Sequence, residues 1–330
     1  MNRRHFIGLL SSTTAVLASR SYAQLANKVY RVAFVGSNGP QAQIRELSIT
    51  KALMEGMRDL GYVEGESIEY VLRSAEGKVT ERAGPMIAEF NAIGVDVVVA
   101  AAAPLAKEFM RHTTKVPIVI AAGGDLVAQG IVANLARPGG NVTGFSNYVS
   151  PEIEAKRVQL LKEVAPATRR IAYLGMKQIW DSGNGKALQS AALEVGSIII
   201  LVEHSLDGHV EAFQRLENEN PDALMMSDWT SHWVKRQAIF DFALQHRTPV
   251  IYPWREYVDA GGLMSYGVNL VDQYRRSADY VDKILRGANP GELPIQLPTK
   301  FELVISLKIA KKIGLEIPAH ILAQAAEVIE

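Results

Sequence analysis

The chain contains no cysteine. Disulfides, thiolate metal ligands, a cysteine nucleophile and a lipid-modified cysteine anchor are therefore excluded. Net charge is lacking too, because 35 Lys and Arg are balanced by 35 Asp and Glu. A nucleic-acid partner would favour a basic face, and this balance gives none any support. Catalytic signatures are equally scarce. No G-x-S-x-G elbow occurs. His204 and His209 lie five residues apart across a strand–loop boundary, with no third ligand at a telling spacing, so no metal site is expected. The segment "GSNGP" falls short of G-x-G-x-x-G, which speaks against a dinucleotide, and no cofactor is expected.

Long apolar runs are missing as well. Arg3 and Arg4 precede a short apolar region from Phe6 to Ala18, and Ser21–Ala23 fits a small-x-Ala cleavage site. The run is too short, and too rich in Ser and Thr, for a membrane span of about 20 apolar residues. "RRHFI" resembles a twin-arginine export signal, and an ordinary secretory signal fits the same residues. On either route residues 1–23 are a signal peptide, cleavage falls after Ala23, and the mature chain is periplasmic.

What is present from Val29 onward is alternation. Apolar runs such as "VYRVAFVG", "VDVVVAAA" and "VPIVIAAGG" are separated by segments with helical spacing, among them Ile44–Tyr62 and "APLAKEFMRHTT". Asp125 stands where it would cap a further helix, "LVAQGIVANLA". Such a pattern predicts parallel strands covered on both faces by helices. The rhythm restarts after Leu135–Glu152, a stretch rich in Gly, Pro and Asn, and continues through "RRIAYLG", "SIIILVEHS", "PDALMMSD" and "TPVIYP". A single core rarely exceeds about 250–300 residues. The fold class expected is therefore α/β, with two doubly wound, Rossmann-like lobes joined by a hinge. Leu135–Glu152 reads as one crossing between them, against the alternative of a plain surface loop. Met264–Asn269 and Leu293–Glu302 read as two more. The expected boundaries are 29–143 with 267–295 for lobe 1, and 144–266 with 296–330 for lobe 2.

In open α/β sheets ligands bind outside the carboxyl ends of the strands. That rule selects Ser37, Asn38, Pro104, Gly124 and Asp125 in lobe 1, and Lys177, Asp228, Trp229, Tyr252 and Trp254 in lobe 2, with Tyr266 near a crossing. Asp125 and Asp228 can each cap a helix or meet a ligand amine. Lys177 suits a ligand carboxylate or bulk solvent. Trp229, Tyr252 and Trp254 offer an aromatic wall or ordinary packing. The charged segment "LVDQYRRSADYVDKILRG" reads as a solvated amphipathic helix.

"LARPGGNVTGFSN", "RDLGYVEGESIEY" and the long run from "REYVDAGGLMSYGVN" to "KKIGLEIP" resemble signatures of the ABC-transporter substrate-binding family related to the tryptophan-binding protein TrpX. The resemblance spans Tyr30 to Glu330. It implies a type I periplasmic-binding-protein fold with three crossings, and a small molecule such as an amino acid or aromatic carboxylate trapped between the lobes. The implied partners are an inner-membrane ABC permease and its cytoplasmic ATPase, with the receptor acting as a monomer. The chain departs from the family pattern at "AAAP", Ala101–Pro104, and at "LGMKQIWDSGN", Leu174–Asn184, both at expected ligand-facing edges. Its chemistry is then binding and release, with no catalysis. The competing classes are an exported two-lobe enzyme and a receptor that reports to a sensor protein. A helix-turn-helix transcription factor is disfavoured, because no such segment precedes the lobes.

Overall fold

The computed structural model describes residues 28–148, 150–204, 209–228 and 231–330. The expected signal peptide at 1–23 lies outside the described residues. In chain order the first strands and helices are β1 (Tyr30–Gly36), α1 (Ser48–Asp59), β2 (Ile68–Ser74), α2 (Val79–Ile93), β3 (Val97–Ala100), α3 (Ala103–His112), β4 (Ile118–Gly123) and β5 (Val142–Ser146). There follow α4 (Pro151–Val164), β6 (Arg170–Gly175), α5 (Lys177–Trp180), α6 (Gly183–Glu194), β7 (Ile198–Glu203), α7 (His209–Glu219) and β8 (Ala223–Met226). Next are α8 (Ser231–Val234), α9 (Arg236–Gln245), β9 (Val250–Tyr252), α10 (Arg255–Asp259), β10 (Met264–Val268) and α11 (Leu270–Leu285). The chain closes with β11 (Phe301–Ser306), α12 (Leu307–Ile313), α13 (Ala319–Leu322) and β12 (Glu327–Ile329).

These elements form two compact units. The first runs to Ser146 and includes Val271–Gln296; the second comprises Asn147–Leu270 and Leu297–Glu330. The chain thus passes from one to the other after Ser146, Leu270 and Gln296.

The first unit holds a five-stranded sheet in the order β2-β1-β3-β4-β5, with every pair parallel. Its strands are nearly continuous apolar runs, as burial on both faces requires. Val97–Ala100 is buried throughout, and Phe90 and Phe109 meet edge to face with centroids 6.4 Å apart, a common arrangement for aromatic pairs. The helix α2 accommodates Pro85 within its span. Its end is set by Gly94, whose φ of 70° makes a left-handed cap.

The second unit holds a seven-stranded sheet in the order β12-β11-β10-β9-β8-β6-β7. Within it β7-β6-β8-β9-β10 repeats the strand order of the first sheet, again with parallel pairs. The expectation of parallel strands needs one amendment: β11 pairs antiparallel with β10. The second amendment concerns residues 126–136. They form turns and bends, with Gly130 at φ 66° interrupting any helical run, so the expected helix "LVAQGIVANLA" is absent.

Candidate functional site

Both sheets have the order in which the strand sequence reverses direction once, and each reversal opens a crevice at the carboxyl ends of the flanking strands. In the first sheet the switch lies between β1 and β3; in the second it lies between β6 and β8. The loops flanking the first switch carry Ser37 and Asn38 after β1, and Pro104 after β3. Those flanking the second carry Lys177 after β6 and Asp228 after β8. Strand order, which no linear reading supplies, thus singles out five of the eleven candidate residues.

At the first edge Ser37 and Asn38 are half-buried, and the Ser37 hydroxyl is enclosed without a hydrogen-bond partner among the described residues. Ala101, Ala102 and Ala103 are buried, whereas Pro104, in the first turn of α3, is exposed. After β4 the Gly124 carbonyl accepts the Ser146 hydroxyl at 2.8 Å. One Asp125 carboxylate oxygen accepts the backbone N–H groups of Val127 at 3.1 Å and Ala128 at 3.0 Å. Asp125 therefore caps a turn, with no helix beyond it.

Helix α11 holds this edge in place. Gln273 donates from Nε2 to the Ala121 carbonyl at 3.0 Å, and the Tyr274 hydroxyl donates to the Ala101 carbonyl at 2.6 Å. The Tyr274 ring also meets Phe34 edge-on, with centroids 6.1 Å apart. The amphipathic helix expected here is α11: Gln273, Tyr274, Ser277, Ala278, Tyr280, Val281 and Ile284 are buried, while Asp272, Arg275 and Asp279 on the other side are exposed. Replacing Tyr274 with Phe leaves the buried Ala101 carbonyl without that donor and is expected to cost about 1–2 kcal/mol, read by urea denaturation.

At the second edge Lys177 is exposed and bound within its own helix to Asp181, at 2.7 and 2.9 Å. That hydrogen bond raises the Lys177 pKa above its ordinary value. Tyr252 and Trp254 are buried, and each stacks on Tyr257 with centroids 5.0 and 6.1 Å apart. They form a buried aromatic stack at and after the end of β9. Trp229 lies outside the described residues. Tyr266 stacks on Phe301, with centroids 6.1 Å apart, and lines a groove of about 300 Å³ with Lys156, Leu160 and Leu303. That groove lies along β10 and β11, away from the switch point.

Asp228 is half-buried at the end of β8. Burial pushes its carboxyl pKa up, and the Arg157 guanidinium pulls it down. Arg157 was not singled out from the sequence, where "EAKRVQLL" reads as one more turn of an amphipathic helix. It is fully buried, donating from Nε to the Tyr266 carbonyl at 2.7 Å and from Nη1 to Glu154 at 3.3 Å. Glu154 is buried as well, and its pKa is raised by burial against the pull of Arg157. The signal that could have found Arg157 was its helical spacing, three, four and seven residues before Leu160, Leu161 and Val164, which puts it on the apolar face of α4.

His204 and His209, noted above as a lone pair, meet at 3.1 Å between Nε2 and Nδ1. A third histidine, His232 of α8, packs edge-on against His204 with centroids 4.7 Å apart. Among the described residues no group of three His, Asp or Glu is arranged to hold a metal ion. Burial instead lowers the pKa of His204 to about 4 and that of His232 to about 3, so both rings are neutral at pH 7.

Two doubly wound units, linked by three passages of the chain and each bearing a switch-point crevice, define the architecture of a type I periplasmic binding protein. The family model for ABC transporter substrate binding proteins matches residues 45–329, and the chain belongs to that family. A tyrosine-binding protein from Clostridioides difficile is 21% identical over 269 residues, 81% of this chain and 76% of that protein. Among solved structures, the ABC domain in complex with L-Trp from Streptococcus pneumonia is 23% identical, with a TM-score of 0.78, over 92% of this chain and all of that one. The leucine-binding protein LivK from Thermotoga maritima shares the fold at 16% identity and a TM-score of 0.55, over 86% of this chain and 87% of that one. The chain is thus a solute-binding protein of an ABC transporter system, with a small molecule as its ligand.

Proposed function

We propose that this protein binds an aromatic amino acid and delivers it to an inner-membrane ABC permease energised by a cytoplasmic ATPase. The observation that supports this most is the carboxyl edge of the second sheet, where Asp228 follows β8 at the switch point and the stacked rings of Tyr252, Trp254 and Tyr257 stand at and after the end of the neighbouring β9. A buried-side carboxylate offers an ammonium group a charge partner, and the aromatic backing offers an apolar environment for a ring. The names of the tyrosine-binding relative and the L-Trp complex agree with that chemistry.

On this reading Ser37, Asn38, Pro104, Gly124 and Asp125 supply contacts from the first edge, the backbone N–H groups near Ser37 and Gly124 suiting a ligand carboxylate. Lys177, Asp228 and Trp229 supply contacts from the second, with Tyr252, Trp254 and Tyr266 behind them. Ligand shifts the protein toward the form that binds it best, and that liganded form is what the permease receives. The protein works in the periplasm as a monomer without catalysis, after export and cleavage behind Ala23.

Calorimetry with L-tyrosine and L-tryptophan, after mass spectrometry of any compound that copurifies, tests the ligand class. Asp228→Asn is expected to weaken binding of the amino acid by about 10-fold or more, the loss of a charge-assisted hydrogen bond of roughly 1.5–3 kcal/mol. Unchanged affinity in that variant would remove Asp228 from the site. Product formation from either amino acid by the purified protein would replace the receptor with an enzyme.

A further inference from the structure

Among the described residues Arg236 has no acidic partner. It is the first residue of α9 and half-buried, and its guanidinium lies over the Trp233 ring of α8, 4.2 Å from the centroid. Its Nη1 donates to the Trp233 carbonyl at 2.8 Å. A guanidinium carries more N–H donors than that one bond uses. Other arginines of this unit are matched with acids: Arg170 pairs with Glu219, and Arg255 with Asp259 and Glu327. Stability gives little reason for a bare cation here. The first turn of α9 holds no acid, Lys235 immediately precedes Arg236, and the helix dipole opposes positive charge at this end.

Printed contacts carry that charge to the ligand edge. Helix α9 begins after β8 and leads back to β9, so Arg236 lies on the carboxyl side of the second sheet, as Asp228 does. Trp233 meets Tyr257 edge-on, with centroids 5.1 Å apart, and Tyr257 stacks on Tyr252 and Trp254. Arg236 therefore closes one end of the aromatic cluster that would receive a ligand ring.

We propose that Arg236 binds the carboxylate of the ligand, with Trp233 holding the guanidinium in place, so that the site selects aromatic acids over aromatic amines. The inference rests on the reading of this edge as an aromatic amino-acid site. Arginine suits the role because its planar fork can pair with both oxygens of a carboxylate, it stacks on aromatic faces, and it keeps its charge at any working pH. With Asp228 facing the ammonium, the connection from β8 to α9 reads both charges of an amino acid.

Calorimetry with L-tyrosine, with tyramine, which lacks the carboxylate, and with 3-(4-hydroxyphenyl)propionate, which lacks the amine, tests this. Arg236→Gln is expected to weaken both acids by about 10- to 100-fold, the loss of a charge-assisted pair. Tyramine binding and the ligand-free melting temperature should stay close to wild type. Arg236→Lys restores part of the L-tyrosine affinity. An equal loss of tyramine and L-tyrosine in Arg236→Gln would make Arg236 a support of the aromatic cluster only. L-Tyrosine binding undiminished in Arg236→Gln would assign the carboxylate to the backbone N–H groups near Ser37 and Gly124. Either result overturns the proposal. If Arg236→Gln does not fold, Arg236→Lys decides: it keeps the charge but loses the planar fork, so L-tyrosine should bind several-fold more weakly than to wild type, and an equal affinity overturns the role.

The reading beneath fails separately. If wild type binds neither L-tyrosine nor L-tryptophan, the amino-acid assignment falls. The role of Arg236 then survives only if 3-(4-hydroxyphenyl)propionate binds wild type and is lost in Arg236→Gln; a wild type that binds none of these compounds sinks both.

Discussion

Gly144→Ala is expected to destabilise the first unit by about 4 kcal/mol or more, which places it among the exceptional single substitutions. Gly144 lies in β5 opposite Ile120 of β4, at the one irregularity in that pairing. Its φ of 135° is a conformation that side-chain-bearing residues rarely adopt. The added methyl would also meet fixed backbone, with the Ile120 nitrogen at 2.6 Å, its carbonyl carbon at 2.8 Å and its oxygen nearer still. Strain of about 1–3 kcal/mol from the dihedral adds to an overpacking cost of similar size, and neither neighbour is a flexible side chain that can step aside. The Gly144 carbonyl also accepts the Gln296 N–H at 3.0 Å, so the disturbance reaches the residue after which the chain leaves this unit. Gly139→Ala is the control. It shares a positive φ, 77°, but has open space around the new methyl, so only the smaller dihedral strain is expected. Urea denaturation of both variants is decisive: a Gly144→Ala protein within 1 kcal/mol of wild type would mean that β5 does not need this close approach.

Acid is expected to weaken the second unit through its buried histidines. His204 is 1% exposed and His232 0%, and their folded pKa values of about 4 and about 3 lie below the ordinary 6.5. The unfolded chain therefore takes up protons first as pH falls. Stability from the neutral rings is fully present above pH 6.5 and is lost progressively as pH drops from there toward the folded values. At pH 5 the loss is about 2 kcal/mol for each ring, or about 4 kcal/mol for the pair, relative to pH 7.5. Glu256 acts in the opposite sense. Its carboxyl, raised by burial to about 7, stays protonated in the fold, so its contribution declines as pH rises from 4.5 toward 7. Raw stability profiles mix the two effects. The clean measurement is the difference in unfolding free energy between wild type and His204→Phe. That difference should shift against wild type by about 2 kcal/mol between pH 7.5 and pH 5. A pH-independent difference would show that His204 is not held neutral by its surroundings.

These two expectations came from different depths of the sequence. Gly144 stands in "RPGGNVTGFSN", whose glycine content already marked a backbone with special needs, although which glycine met which strand was not legible. The histidines show the opposite. His204 and His209 were visible as a pair, but His232 is 23 residues beyond the second of them and entered the cluster only because β8 lies beside β6, itself beside β7. The helix expected at 126–136 failed for a local reason, the left-handed Gly130, which outweighed an apolar pattern of adequate period.

The sequence by itself determined the alternation of strands and helices and the family. Each of these is written along the chain, because burial on both faces of a sheet demands continuous apolar runs and because turn residues punctuate them. Only the tertiary structure decided that Arg157 lies buried beside Glu154, that the inner side of α11 anchors the first edge, and that the first sheet's strand order recurs within the second. Those facts depend on which segments become neighbours across tens of residues. Hydrophobic periodicity records how deeply a residue is buried; it carries no record of what is buried beside it.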